Sequence, residues 1–341
     1  MAKSGLQETA RALVAEGKGL LAADESFGTI EKRLKADGVE SNEDTRRAYR
    51  EMLLGTPGAN QFLSGVILFD ETLRQNMADG TPFPRYLESQ GIIPGIKVDE
   101  GAHDMALAPG EKVTDGLDGL RDRLAEYKQL GARFAKWRAV ITIGEGIPTA
   151  RCIEANAHAL ARYAALCQEA GIVPIVEPET IMDGDHTLEK CAEVTEKVLR
   201  ATFAALAEQN VALDGLLLKP NMVLAGQDSS ESSDVEAVAD ATFACLLRTV
   251  SAAVPGIVFL SGGQTDTLAT ARLNAVVQRA QAYPAPWQVS FSFARAVQDR
   301  AMKAWGGKPE NVTAARDAFL GRLRLNGAAR RGEYTTALEQ G

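Results

Sequence analysis

Charged residues set inside short apolar runs are the first feature of this sequence that could do chemistry. Asp24 and Glu25 end the run GLLAADE, Lys97 lies in GIIPGIKV, Lys136 and Arg138 in FAKWR, Glu177 and Glu179 in IVPIVEPE, and Lys219 in GLLLKPN. One such side chain alone is ordinarily an ion pair or a snorkelling chain. Three lysines and an arginine with three or four carboxylates instead suit an amine nucleophile surrounded by acid and base partners. A lysine attacks a carbonyl only when unprotonated, so its ordinary pKa of about 10.4 has to be pulled down by burial or neighbouring cations. Lys219 is the best-placed candidate, because three leucines precede it and Pro220 fixes the backbone after it. Glu177 and Glu179 share one face of a strand. Paired carboxylates near cations can be driven into different protonation states, one acid and one base, and ion pairing with Lys136 or Arg138 is compatible with that. Asp24 either joins the group or caps the helix that DESFGTIEKRL opens.

A second set suits anion binding. FLSGGQ places Ser261, Gly262 and Gly263 together, where glycines let backbone amides approach a phosphate, and Arg295 in SFSFAR supplies a guanidinium fork. Other polar features read more plainly. DGDH, ending in His186, is a helix-capping turn, His103 in EGAHDM is loop, and His158, within a helical pattern, is a surface or a satisfied histidine.

The elements that must position these residues alternate. Eight apolar runs, the six above with their neighbours VILFD and WQVSFSF, are separated by longer amphipathic segments, the pattern of parallel strands joined by helices. With no GxGxxG after the first run and no GK[ST] anywhere, a closed (β/α)₈ barrel is expected in place of an open doubly wound sheet. The strands should run from about residue 19 to 295, followed by a C-terminal helix and short tail from about 309 to 341, all as a single domain. Polar strand ends would then converge at one mouth. Ser41 and Asp44 fit a capping box, Gly131 and Gly171 mark helix ends, and ENVTAARDAFLGRLRLNGAARRGEY is a last helix with a basic, fraying tail. The segment GQDSSESSDVE reads as a solvated loop or a lid.

Composition narrows the function. The chain has 341 residues, 45% hydrophobic and 24% charged, which is enough apolar material for a large core. Its 37 basic and 45 acidic residues give a net charge of −8, against a nucleic-acid partner held by a general positive field. Three histidines and four scattered cysteines show no metal-ligand spacing, so no metal or cofactor is expected, and the cysteines read as buried thiols of a reducing compartment. The N-terminus lacks a signal-peptide core and no run is long enough to span a membrane, so a soluble cytoplasmic protein without membrane partners is expected.

With these residues in view, the sequence resembles the class I fructose-bisphosphate aldolases, which work through a lysine Schiff base. LLAADES, KRL, GVILFDETL, GIIPGIKVDEG, AKWRAVI, PIVEPE, DGDH, LLKPNMV, FLSGGQ and KAWGGK carry the resemblance, in order from about Leu20 to Lys308. It implies metal-free, reversible cleavage of fructose 1,6-bisphosphate in glycolysis and gluconeogenesis. The alternatives are a preference for fructose 1-phosphate or sedoheptulose 1,7-bisphosphate, or a non-catalytic phosphosugar scaffold. It also implies roles. Lys219 would form the Schiff base, Glu177 and Lys136 would serve carbinolamine formation and dehydration with Glu179 tuning them, and Asp24 would accept the hydroxyl proton. Ser261, Gly262, Gly263, Ser292 and Arg295, with Arg33 nearby, would hold the ketose-end phosphate, and Lys97 and Arg138 the other. Phosphorylated sugars would be the partners and a homotetramer the assembly. Two departures stand out: Ala294 replaces a glycine of the family's SFSYGR, and the chain has no terminal tyrosine, its last being Tyr334.

Overall fold

The computed structural model describes residues 2–231 and 234–340; Ser232 and Ser233, within GQDSSESSDVE, lie outside the described residues. Ten strands follow in chain order: β1 Gly19–Ala23, β2 Leu63–Leu68, β3 Ile93–Lys97, β4 Gly101–Asp104, β5 Lys112–Asp115, β6 Phe134–Ile141, β7 Val173–Thr180, β8 Leu217–Leu218, β9 Gly256–Phe259 and β10 Gln288–Phe293. Eight of them close a parallel barrel in the order β1-β10-β9-β8-β7-β6-β3-β2. Closure rests on β1, which pairs with β2 on one side and, through Leu20↔Ser292 and Leu21↔Phe293, with β10 on the other. All eight expected strands are present, and so is the closed barrel.

The strands are buried on both faces, and their side chains divide into two layers of apolar packing. Leu20, Ile67, Phe134, Val173, Ile175, Leu217 and Val258 fill the barrel interior. Leu21, Val66, Ala135, Trp137 and Val176 point the other way, into the shell of helices. Helix Ala2–Leu13 closes the bottom, packing Leu6, Ala10 and Leu13 against the interior set. Because side chains alternate along a strand, the inward face of β6 runs Phe134, Lys136, Arg138 and that of β7 runs Val173, Ile175, Glu177, Glu179. Apolar residues occupy the lower barrel, and charged ones follow at the same period above them.

Helix ends follow local chemistry. The side chains of Thr149, Thr187, Asp234 and Thr265 each accept a backbone N–H at a helix start, and Gly171, at φ 72°, ends helix Ala150–Ala170. Three expectations are corrected. The cap of helix Glu43–Leu54 is Asn42, which accepts from Thr45 N–H at 2.9 Å, and Ser41 is not the cap. His103 is not in a loop: β4 pairs antiparallel with β5 in a hairpin outside the barrel, His103 facing Val113. The basic end of the last helix, Val312–Arg330, does not fray, since Arg322 and Arg330 are buried and Tyr334 N–H donates to Asn274 Oδ1 at 2.9 Å. His158 is exposed on its helix, and the four cysteines are buried free thiols, as read from their contexts.

Gly95 makes room for a central piece of the interior. A Cβ there would lie 2.3 Å from the Phe134 ring. Gly95→Ala should therefore destabilise the fold by about 1–3 kcal/mol through overpacking. Urea unfolding checks this, and Phe134→Leu in the same chain should recover part of the loss.

Candidate active site

The ends of β1, β3, β6, β7 and β8 bring a compact group of opposite charges to the barrel mouth. Lys219 follows directly on β8, where its N–H donates to Val176 O at 2.8 Å and holds the residue in register with β7. Its Nζ lies 3.2 Å from Glu177 Oε1. The other oxygen of the same carboxylate, Oε2, lies 3.3 Å from Lys136 Nζ, which also reaches Asp24 Oδ2 at 2.7 Å. Lys219, Lys136, Glu177 and Asp24 are all buried. One carboxylate thus stands between two ammonium groups.

Asp24 resolves its two readings. It makes the ion pair with Lys136, and the cap position of helix Phe27–Ala36 belongs to Ser26, with no side-chain cap bond. Burial by itself would raise the Asp24 pKa, but Lys136, Lys219 and Lys97 together outweigh it and hold the carboxyl at about 2. Burial works against the charged form of Lys136 too, yet Asp24, Glu177 and Asp99 hold its ammonium well above the ordinary lysine range. Both groups are charged at neutral pH.

A member that sequence reasoning missed is Asp99. It is buried, receives Lys97 Nζ at 2.6 Å, lies 3.9 Å from Lys136 Nζ, and accepts the Arg138 backbone N–H at 3.1 Å. The signal available was its position two residues beyond Lys97 in KVDEG, at a strand end. Arg138 ion-pairs with Glu179, and its side chain remains 43% exposed.

The anion set assembles beside this group. Arg295 opens helix Arg295–Trp305 and its Nη2 donates to Gly262 O, linking the end of β10 to the turn after β9. Gly262 has φ 56°, a conformation that suits glycine, and Ser261 is buried next to it. Against Gly263, a Cβ would lie 2.9 Å from the Met182 side chain. Ser292 Oγ is buried and without a hydrogen-bond partner. Arg33 is drawn aside from the set: it pairs with Glu25 and with Asp299 Oδ1 at 2.9 Å, and donates to Gln298 Oε1 at 3.1 Å. Loops also meet here. Gly226 N–H donates to His186 O and Gln227 N–H to Met182 O, both at 2.8 Å, so DGDH braces a neighbouring loop while Thr187 caps the helix.

Over residues 5–341 the chain matches the glycolytic class I fructose-bisphosphate aldolase family. It belongs to that family. A protein of Xanthomonas campestris pv. campestris named probable fructose-bisphosphate aldolase class 1 is 57% identical over 330 residues, covering 96% of this chain and 98% of the relative. The cytosolic fructose-bisphosphate aldolase 6 of Arabidopsis thaliana is 55% identical, covering 93% and 88%. Among solved structures, fructose-bisphosphate aldolase from Plasmodium falciparum, crystallised with TRAP and a small-molecule inhibitor, superposes with a TM-score of 0.96 at 46% identity over 98% of this chain and 96% of that one.

Where the family pattern has a glycine, Ala294 takes φ −105° and ψ −89° just before helix Arg295–Trp305, outside the main β and helical regions. Tyr334 is not at the mouth. It packs in the outer layer, its hydroxyl donating to Glu339 Oε1 at 3.1 Å. Among the described residues no group of three or more His, Cys, Asp or Glu could hold a metal ion, and no helix is long and apolar enough to cross a membrane.

The Asp24 shift has a stability consequence. A carboxyl held at about 2 in the fold and near its ordinary 3.8 when unfolded stabilises the protein above pH 4. That contribution, about 2 kcal/mol, should disappear as pH falls from about 4 to 2. Chemical denaturation across this range measures it, and Asp24→Asn should flatten this part of the profile.

Proposed function

We propose that this chain cleaves fructose 1,6-bisphosphate reversibly into dihydroxyacetone phosphate and glyceraldehyde 3-phosphate through a Schiff base on Lys219. The observation that carries the reading is the Glu177 carboxylate, with one oxygen toward Lys219 Nζ and the other toward Lys136 Nζ. Glu177 can take a proton from the Lys219 ammonium, freeing the amine to attack the C2 ketone. It then returns the proton to the carbinolamine oxygen, which leaves as water, while Lys136 offsets the changing charge and Glu179 holds Arg138 beside it.

The resulting iminium is the electron sink. Asp24 is ionised at neutral pH and therefore able to accept the C4 hydroxyl proton as the C3–C4 electron pair moves toward nitrogen. The aldehyde half departs, the enamine takes a proton at C3, and water releases the second triose from Lys219. Two phosphates fix the substrate across this group. Ser261, Gly262, Gly263, Ser292 and Arg295 suit the ketose-end phosphate, the unpartnered Ser292 hydroxyl offering a donor, and Lys97 and Arg138 suit the other end. For Arg33 to join them it must exchange Asp299 for phosphate. The same reading makes the enzyme metal-free, a cytoplasmic homotetramer, with phosphorylated sugars and no nucleic acid or membrane as partners; the cytosolic relative supports the compartment.

Borohydride added with dihydroxyacetone phosphate should attach a stable adduct to Lys219, located by peptide mass spectrometry. Lys219→Ala should take up none, and an adduct on Lys97 or Lys136 would sink the mechanism. Glu177→Gln should lower kcat by about 10²–10⁴-fold with little change in KM. A chelator should leave the cleavage rate of the wild type unchanged.

A further inference from the structure

Arg33 is held at two nitrogens by partners of unequal firmness. Its Nη1 donates to Glu25 and, at 3.1 Å, to Gln298 Oε1, both with buried side chains. Gln298 is itself fixed, accepting from the Tyr49 hydroxyl at 2.8 Å and donating to Ala22 O on β1. Nη2 instead donates to Asp299 Oδ1 at 2.9 Å, on a side chain that is 58% exposed. One edge of the guanidinium is therefore anchored in the fold, and the other holds a carboxylate that water reaches.

The charge count around Arg33 gives that carboxylate a purpose. One oxygen of Glu25 meets Arg33 and the other lies 2.7 Å from Arg50 Nη2, so two guanidiniums draw on one buried carboxylate. Without Asp299 these three side chains carry a net positive charge, and its open edge is Arg33 Nη2. Asp299 also feels Arg295, one turn before it on helix Arg295–Trp305. Partial burial nonetheless raises the Asp299 pKa above the ordinary aspartate value, against the pull of Arg33 and Arg295, so the two arginines hold this carboxylate loosely.

We propose that, on the reading of Arg33 and Arg295 as phosphate ligands, Asp299 sets the affinity for the ketose-end phosphate by standing in for it, its carboxylate occupying Arg33 until the substrate displaces it. The exchange leaves Glu25 and Gln298 on Nη1, so Arg33 accepts the phosphate without leaving its anchor. Asp299 turns into solvent, and a dianion takes its place between two guanidiniums. The competition acts at one end of the substrate only. Lys97 and Arg138 also face carboxylates, but Asp99 and Glu179 are buried and have no solvent to turn into.

Calorimetric titration with fructose 1,6-bisphosphate tests this on the full chain carrying Lys219→Ala, in which no Schiff base forms and the sugar stays intact. Adding Asp299→Asn should tighten binding about two- to fivefold, the usual contribution of an exposed ion pair. With Arg33→Ala also present, the same substitution should change the affinity by less than about 1.5-fold, because the contested group is gone. With Lys219 intact, Asp299→Asn should lower the KM for dihydroxyacetone phosphate in the condensation direction by the same factor and leave the KM for glyceraldehyde 3-phosphate as it is. Circular dichroism melting shows whether each variant is folded. Unchanged or weaker binding in Asp299→Asn overturns the proposal, and so does an equal gain without Arg33, the mark of a general field effect. A wild type that neither binds nor cleaves the bisphosphate fails the substrate reading and takes this inference with it. Binding that ignores Asp299 overturns this inference alone and leaves the substrate reading standing.

Discussion

Charge balance inside a barrel of low polarity governs this protein. Asp24, Asp99 and Glu177 face Lys97, Lys136 and Lys219, three carboxylates against three ammoniums, with all three carboxylates and two of the lysines buried. Removing Glu177 takes from buried Lys219 its ion-pair partner, and removing Lys136 does the same to Asp24, which is far more damaging than the loss of an exposed ion pair. The same balance keeps Asp24 and Lys136 charged and holds Glu177 between two amines. Stability at this end of the barrel and the proton transfers proposed for Glu177 and Asp24 therefore have one physical source.

The lower barrel makes that arrangement possible. Phe134, Ile175 and Leu217 lie two residues before Lys136, Glu177 and Lys219 on their strands, so the inward face changes from apolar to charged at one level. Helix Ala2–Leu13 seals the bottom with Leu6, Ala10 and Leu13. The net charge of −8 gives no hint of this, because it averages over a surface rich in carboxylates. The bisphosphate sugar of the proposed reaction would meet the local set at the mouth, Lys97, Arg138 and Arg295.

Much of this was legible beforehand because parallel barrel strands are short apolar runs with a fixed two-residue period. The catalytic candidates stood out as charges that interrupt those runs at their ends. Where expectation and structure part, longer-range contacts intervened. The hairpin of β4 and β5 lacks a strong apolar pattern and packs beside the barrel, so His103 read as loop. The basic end of the last helix looked solvated, but Arg322 is buried against Glu339 and Arg330 against Gln288, residues 17 and 42 positions away. Asp99 went unnoticed because its partners Lys97 and Lys136 come from different strands.

The sequence by itself determined the barrel, the family and the residue types at the mouth, since these depend on local period and on motifs carried within single strands. Only the tertiary structure decided how the charges pair: that Asp24 bonds Lys136 and leaves the helix cap to Ser26, and that Arg33 turns to Glu25 and Asp299. Pairing depends on distances of a few ångströms between strand ends far apart in the chain, and those distances exist only once the barrel has closed.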